Sequence, residues 1–357
     1  MSEYRIPTVK ELRSATESGN HKFEVVSLFA GGGGSSTGYR MAGGKVLAVN
    51  EFIPEAVKTY KANWPTTEVL PGDVRKLSGQ DILDVIDRQP GQLDILDGSP
   101  PCSAFSTAGS RDKGWGKTKK YSDASQENVE DLFFEYIRVL RDIQPKVFVA
   151  ENVSGLAKGV AKGYLNQILR ELRASGYEVS CKVLDAQWLG VPQKRARTIF
   201  VGVRSDLWKP DFKGRLHPKP RTERPTLRQA FKGLSFTDED RKQTDVAKYA
   251  IHKLLVPMKP GTSHPKRFSL KKCAPEAQAY CVTATTGSLS AANSMHWDNR
   301  AFTVSEVKRI MSIPDDYILT GNYQKQVERL GRMVAPFMMR AVAQNILSLG
   351  VFDENAS

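Results

Sequence analysis

Between Phe23 and Val203, short β-branched or apolar runs alternate with segments of helical periodicity. No other feature of the sequence constrains the fold as much. The runs are FEVVSLFA (23–30), KVLAVNE (45–51), LDILDGS (93–99), KVFVAENV (146–153), YEVSCKVLDA (177–186) and RTIFVGV (197–203). The clearest helix between them is ENVEDLFFEYIRVLRDIQP. There Val129, Leu132, Phe133, Tyr136, Ile137, Leu140 and Ile143 follow the i, i+3, i+4, i+7 spacing of one helix face. Strands separated by helices of this length predict an α/β fold, a doubly wound and mostly parallel Rossmann-like sheet.

After Arg204 the texture changes. Pro, Lys, Arg and Gly become frequent and the alternation fades, until helical patterns return in TVSEVKRIM and GRMVAPFMMRAVAQNILSL. The expected organisation is an N-terminal extension (1–21), a first domain (22–203), a smaller irregular insert (204–299) and a C-terminal segment (300–352) that returns to the first domain. Charge follows the same division. Residues 204–272 hold 18 Lys or Arg against 7 Asp or Glu, a net +11 of the chain's +13. Such a density of cations is the footprint of a polyanion-binding surface. Lys266, Arg267, Lys271 and Lys272 are its candidate phosphate contacts. The four cysteines (Cys102, Cys181, Cys273, Cys281) form no CxxC pair and no metal spacing with His, so no metal is expected and a reducing compartment is. No run of 18 apolar residues occurs, which predicts a cytoplasmic protein with no membrane partner.

The residues that carry chemistry fall where strands should end. SLFAGGGGSSTGYRMAG follows the first strand and should open a helix, a turn that lets backbone N–H groups approach a ligand. Glu51 ends the next strand about 20 residues on, where an acidic side chain accepts from ribose hydroxyls. Asp73 sits where a third strand could end, within reach of an adenine amino group. Cys102 follows Pro100–Pro101 at the end of a further strand, and Glu151 ends the one after. A lone cysteine is most often a small buried hydrophobe. Here Gly31–Gly34, Glu51, Asp73, Cys102 and Glu151 all fall on one edge of the sheet, where open α/β folds build their sites.

With these residues in order, the sequence resembles the DNA (cytosine-5)-methyltransferase family of bacterial and phage type. Its motifs appear as FAGGGG (29–34), NEF (50–52), GDV (72–74), GSPPCSAFS (98–106), ENV (151–153), QKRARTIFVG (193–202), RAFTVSEVKRIMSIP (300–314) and GRMVAP (331–336). The resemblance implies methyl transfer from S-adenosylmethionine to C5 of a cytosine in double-stranded DNA. Phe29, Ala30, Gly31, Gly33, Gly34, Glu51, Phe52, Asp73, Val74 and Pro101 would hold the cofactor. A Cys102 thiolate would add to C6 while Glu151 hydrogen-bonds or protonates N3, so that electron density moves to C5. C5 would then attack the methyl group of S-adenosylmethionine, with S-adenosylhomocysteine leaving, and loss of the C5 proton and elimination of the thiolate would release 5-methylcytosine. Arg197 would contact the cytosine, with Gln193 and Arg195 in support. Ser103, Ser106, Gln193, Thr283 and Thr285 are the implied DNA contacts.

Because C6 is covered by stacking, the base must be flipped out. The small, polar and basic segment 103–125 suits the lid that this requires. The insert occupies the place of the family's target-recognition domain. Three positions depart from the pattern: Ser27 replaces the Asp common before LFAG, Ser103 the frequent Gln after the cysteine, and Arg332 the usual Asn of the last motif. Two other functions stay open at this point, an RNA (tRNA) cytosine-5 methyltransferase and a catalytically silent DNA-binding protein of the same fold. The enzyme is expected to be a monomer, with a cognate restriction endonuclease as a functional partner.

Overall fold

The computed structural model describes residues 4–101, 119–120, 125–126, 131–157 and 161–353. The chain divides into two compact units. The first to be described comprises residues 13–184, 196–219 and those from Met339 onward. In chain order its elements are α1 (Val9–Glu17, continuing from the other unit), β1 (Phe23–Leu28), α2 (Gly34–Met41), β2 (Gly44–Glu51), α3 (Pro54–Asn63), β3 (Glu68–Pro71), α4 (Gly79–Ile86) and β4 (Ile95–Gly98). Then follow β5 (Lys119–Lys120), β6 (Ser125–Gln126), α5 (Leu132–Ile143), β7 (Val147–Val153), α6 (Ala161–Ala174), β8 (Tyr177–Asp185) and β9 (Ala196–Arg204). Among the described residues seven strands form one sheet in the order β3-β2-β1-β4-β7-β9-β8, while β5 and β6 pair with each other.

The first five of these strands run parallel, and β9 is antiparallel to β7. The chain winds from β1 out to β2 and β3, then crosses back to β4 on the other side. Such a reversal opens a crevice at the carboxyl ends of the strands. Parallel strands covered on both faces read as continuous apolar runs, and β4 and β7 are buried almost throughout. The α5 face expected from its spacing is the buried one: Leu132, Phe133, Tyr136, Ile137, Leu140 and Ile143 all pack into the core, with Val139 beside them. Tyr136 lies so close to β4 that a Cβ on Gly98 would stand 2.5 Å from its ring. Only glycine fits there.

The second unit comprises residues through Leu12, 185–195 and 220–338. It holds α7 (Leu227–Phe231), α8 (Asp238–Thr244), α9 (Ala250–Leu255), the paired short strands β10 (Lys271–Lys272) and β11 (Ser294–Met295), α10 (Val304–Ile310) and α11 (Tyr323–Arg332). The last helix, α12 (Pro336–Leu347), runs across the division. A small core of Val246, Ile251, Leu255, Leu270, Met295 and Ala301 holds the middle of this unit.

The division differs from the one expected from composition. Residues 300–338 stay with the insert, and only the chain from Met339 joins the sheet. The partners explain why. Ala301 N–H donates to the Thr244 carbonyl at 2.9 Å, Arg309 donates to the Ala230 carbonyl at 2.9 Å, and Phe302 meets Phe231 and His296 edge-on.

Candidate active site

Strand register builds the first half of the site. Leu28 of β1 is paired with Asn50 of β2 and with Gly98 of β4, and Gly98 with Ala150 of β7. One residue further along each strand therefore come Glu51, Phe29, Ser99 and Glu151, side by side on the carboxyl edge. From Phe29 the chain enters the Gly-rich turn in left-handed conformations: Phe29 has φ 56°, Gly31 56° and Gly33 90°, after which Gly34 opens α2. Ala30 is buried and its N–H reaches back to the Asn50 carbonyl at 3.0 Å. The buried Glu51 carboxylate accepts from Gly31 N–H at 2.6 Å and from Ile53 N–H at 2.7 Å. Phe52 is half-buried beside it. Beyond β3, Asp73 accepts from the Arg75 amide at 3.1 Å and pairs with its guanidinium at 3.0 Å, while Val74 is buried. A Cβ on Gly31 or on Gly72 would meet nothing within 4 Å. Backbone that faces open space beside the Glu51 carboxylate fits a nucleoside cofactor.

A third carboxylate sits beneath this edge, and its role was not read from the sequence. Asp97 of β4 is fully buried and is the register partner of Ser27. The Ser27 hydroxyl donates to it at 2.6 Å and the Tyr39 hydroxyl, from α2, at 3.0 Å. One side chain thus joins the strand before the Gly-rich turn to the helix after it. Burial pushes the Asp97 pKa up to about 7, against those two hydrogen bonds, which favour the charged form.

On β7, Glu151 Oε1 and Arg197 Nε of β9 lie 2.8 Å apart, both mostly shielded from solvent. The neighbouring Asn152 is buried, and its amide donates to the Pro100 carbonyl at 3.1 Å. It therefore fixes the Pro100–Pro101 segment, of which Pro101 is half-buried, just before the nucleophile candidate. The signal for Asn152 in the sequence is its place inside the ENV motif, directly after Glu151. Cys102, Ser103 and Ser106, with most of segment 103–125, lie outside the described residues. Of the other cysteines, burial pushes the Cys181 thiol up to about 11 and the Cys273 thiol up to about 12, so neither is a ready thiolate.

In the second unit the QKRAR stretch is arranged differently from expectation. Gln193 is completely buried; its carbonyl oxygen accepts from Val282 N–H at 2.9 Å and its amide donates to Met311 Sδ at 2.9 Å. A side chain so enclosed cannot meet DNA, which corrects its assignment as a DNA contact. Arg195 is buried as well, and donates to the carbonyls of Val282, Gly331 and Met333 at 2.8, 3.0 and 2.8 Å. It is a brace between the 282 segment and the last motif, which leaves it a supporting part and removes it from the catalytic set.

The Thr283 and Thr285 hydroxyls lie 3.1 Å apart, with Thr285 exposed. A Cβ on Gly331 would stand 2.3 Å from the Thr283 carbonyl, so glycine lets the last motif pack directly behind that segment. Arg332, the departure in that motif, pairs with Glu328 one helical turn earlier at 2.8 Å. Lys272 is buried, with its ammonium donating to Asn299 Oδ1 at 2.6 Å. Enclosed in this way, Lys272 is not a phosphate contact, contrary to the expectation from its place in the basic run.

Comparison with known proteins agrees with this arrangement. Residues 23–348 match the family described as C-5 cytosine-specific DNA methylase. The Type II methyltransferase M1.HphI of Haemophilus parahaemolyticus is 30% identical over 341 residues, covering 91% of this chain and 86% of its own. M.SacI of Streptomyces achromogenes, also a Type II methyltransferase, is 26% identical over 95% of this chain and 96% of its own. Among solved structures, that of Spodoptera frugiperda DNMT2 superposes with a TM-score of 0.67 at 19% identity, over 93% of this chain and all of that one, a likeness of fold. Sheet, motif order and relatives converge: the chain belongs to the C-5 cytosine-specific DNA methylase family, whose members methylate cytosine in DNA with S-adenosylmethionine.

Proposed function

We propose that this enzyme methylates C5 of a flipped-out cytosine within a specific duplex sequence, with Cys102 as nucleophile. Glu151 carries the cytosine N3 contact. The observation that supports this most is the Glu151–Arg197 pair, 2.8 Å apart on the same strand edge as the Gly-rich turn. Arg197 holds the carboxylate in one orientation, and Asn152 holds the segment that delivers Cys102. A Cys102 thiolate forms a bond to C6, the C5–C6 π electrons move onto the ring that Glu151 stabilises at N3, and C5 becomes nucleophilic. Release requires loss of the C5 proton and expulsion of the thiolate.

S-adenosylmethionine, when bound, supplies an electrophilic methyl group. Phe29, Ala30, Gly31, Gly33 and Gly34 would present backbone to it, Glu51 and Phe52 would hold the ribose side, and Asp73 and Val74 the adenine. The first unit carries this chemistry. The second, with Thr283 and Thr285 and its basic surface, recognises the target. The relatives are Type II methyltransferases, which supports a role as the modification partner of a restriction endonuclease in a bacterial cytoplasm. Among the described residues no helix is long and apolar enough to cross a membrane.

Nucleoside digestion and mass spectrometry of DNA from expressing cells tests the reading. 5-Methylcytosine is expected there, at one sequence context by bisulfite sequencing. Its absence from DNA with its presence in tRNA would overturn the assignment.

A further inference from the structure

Within the second unit, the loop from Ser263 to Lys271 combines an unburied aromatic ring with unneutralised charge. Its base is well defined. Ser263 and Lys271 form an antiparallel bridge, His264 N–H donates to the Leu270 carbonyl at 2.9 Å, and Leu270 is buried in the small core. His264 Nδ1 also accepts from the amides of Lys266 and Arg267 at 3.3 and 3.2 Å. These bonds present the tip, where Phe268 is 80% exposed, more than any other large apolar side chain among the described residues. Leaving an aromatic ring in water forgoes the burial that usually stabilises it.

Charge concentrates at the same place. Lys271 Nζ stands 4.9 Å from the centroid of the Tyr280 ring and Lys194 Nζ 5.1 Å, so the two ammonium groups are within 10 Å of each other. The ring itself is anchored by its hydroxyl, which donates to the Gly261 carbonyl at 2.7 Å. Lys194, Lys266, Arg267 and Lys271 make no ion pair among the described residues. Elsewhere in the unit Arg228, Arg300, Arg309 and Arg332 are each matched to a carboxylate. Two like charges drawn to one ring repel each other, and an anion between or beside them relieves that repulsion. Lys194 is also the exposed residue of the QKRAR stretch, flanked by the buried Gln193 and Arg195.

We propose that the 263–271 loop is a DNA-reading element, in which Lys194 and Lys271 beside Tyr280 seat backbone phosphates and Phe268 packs against base edges in a groove. Lys266 and Arg267 extend the phosphate track. The inference rests on duplex DNA being the substrate, as proposed above. A duplex offers both halves of what the loop lacks, regularly spaced anions and apolar base surface such as the thymine methyl.

Fluorescence anisotropy with labelled duplexes over a salt series tests it, using the sequence found by bisulfite mapping and a scrambled one. Lys194→Gln/Lys271→Gln is expected to weaken both duplexes alike and to flatten the plot of log affinity against log salt by roughly 0.9 unit per phosphate lost. Phe268→Ala is expected to leave that slope unchanged and to lower the preference for the mapped sequence by about fivefold or more. Circular dichroism and thermal unfolding of the full chain, compared with the parent, check that each variant is folded. An unchanged slope in the lysine variant, or an unchanged preference in Phe268→Ala, overturns the proposal while leaving the substrate reading intact. Failure of the parent enzyme to bind any duplex would instead overturn the substrate reading.

Discussion

Glu151 and Asp97 are both carboxylates on the carboxyl half of the sheet, yet their surroundings give them different work. Glu151 has a cation at 2.8 Å, whereas Asp97 has only hydroxyl donors and is faced by Tyr39, Tyr136 and, at longer range, Glu151. Glu151→Gln removes the carboxylate proposed to hold N3, so single-turnover methylation should fall by on the order of 10²–10⁴-fold. Affinity for S-adenosylhomocysteine should be unchanged, and a parent-like rate would remove Glu151 from the chemistry. Asp97 makes a pH prediction. Its folded-state pKa of about 7 lies above the ordinary 3.8, so between those values the folded protein binds more protons than the unfolded chain. Stability from this group is complete below about pH 4, falls as pH rises toward 7 and is level beyond. Urea midpoints measured across that window should decline more steeply for the parent than for Asp97→Asn. Parallel curves would show that the carboxyl titrates normally. At the Ser27 departure, the β1 side chain is a hydroxyl that donates to the carboxylate of its register partner on β4.

Among the elements, the β1–α2 turn and the two carboxylates that follow it form the proposed cofactor edge. Glu51→Ala and Asp73→Ala should each weaken S-adenosylhomocysteine binding by roughly 5- to 150-fold in calorimetry, the loss of one hydrogen bond to a polar ligand. Parent-like binding by both would mean that the cofactor lies elsewhere. This part of the molecule was legible because strands of a parallel sheet are apolar runs that end where their chemistry begins. All six runs became strands, from β1 (Phe23–Leu28) to β9 (Ala196–Arg204). β3 is only four residues long and largely solvent-facing, so Asp73 marked it better than its own hydrophobicity did. Polar residues buried by distant partners were not legible. Gln193 and Lys272 look like surface groups in sequence, but their partners are Met311 and Asn299. The unit boundary was misplaced for the same reason, since composition reports the surface while packing ties residues 300–338 to the insert.

For the whole molecule, the second unit, compact in its own right and proposed to recognise the target, should be exchangeable. Its extent argues for replacing 220–338 together with 185–195 rather than 204–299: the shorter cut would separate Ala301 and Phe302 from the Thr244 and Phe231 they pack with, and Gln193 and Arg195 bond to residues 282–333. A chimera with those spans from a relative should methylate the relative's cytosine and keep its affinity for S-adenosylhomocysteine. An active chimera that still modified the original site would place specificity elsewhere, most directly in the 103–125 segment. The central claim is that methyl transfer passes through a covalent bond from Cys102 to cytosine C6, and one measurement addresses it directly. A duplex carrying 5-fluorocytosine at the mapped site is incubated with enzyme and S-adenosylmethionine, then digested for peptide mass spectrometry. Fluorine cannot leave C5 as a proton does, so the adduct should persist and map to Cys102, and Cys102→Ser should form none. An adduct on another residue, or ordinary turnover by Cys102→Ser, would contradict the account.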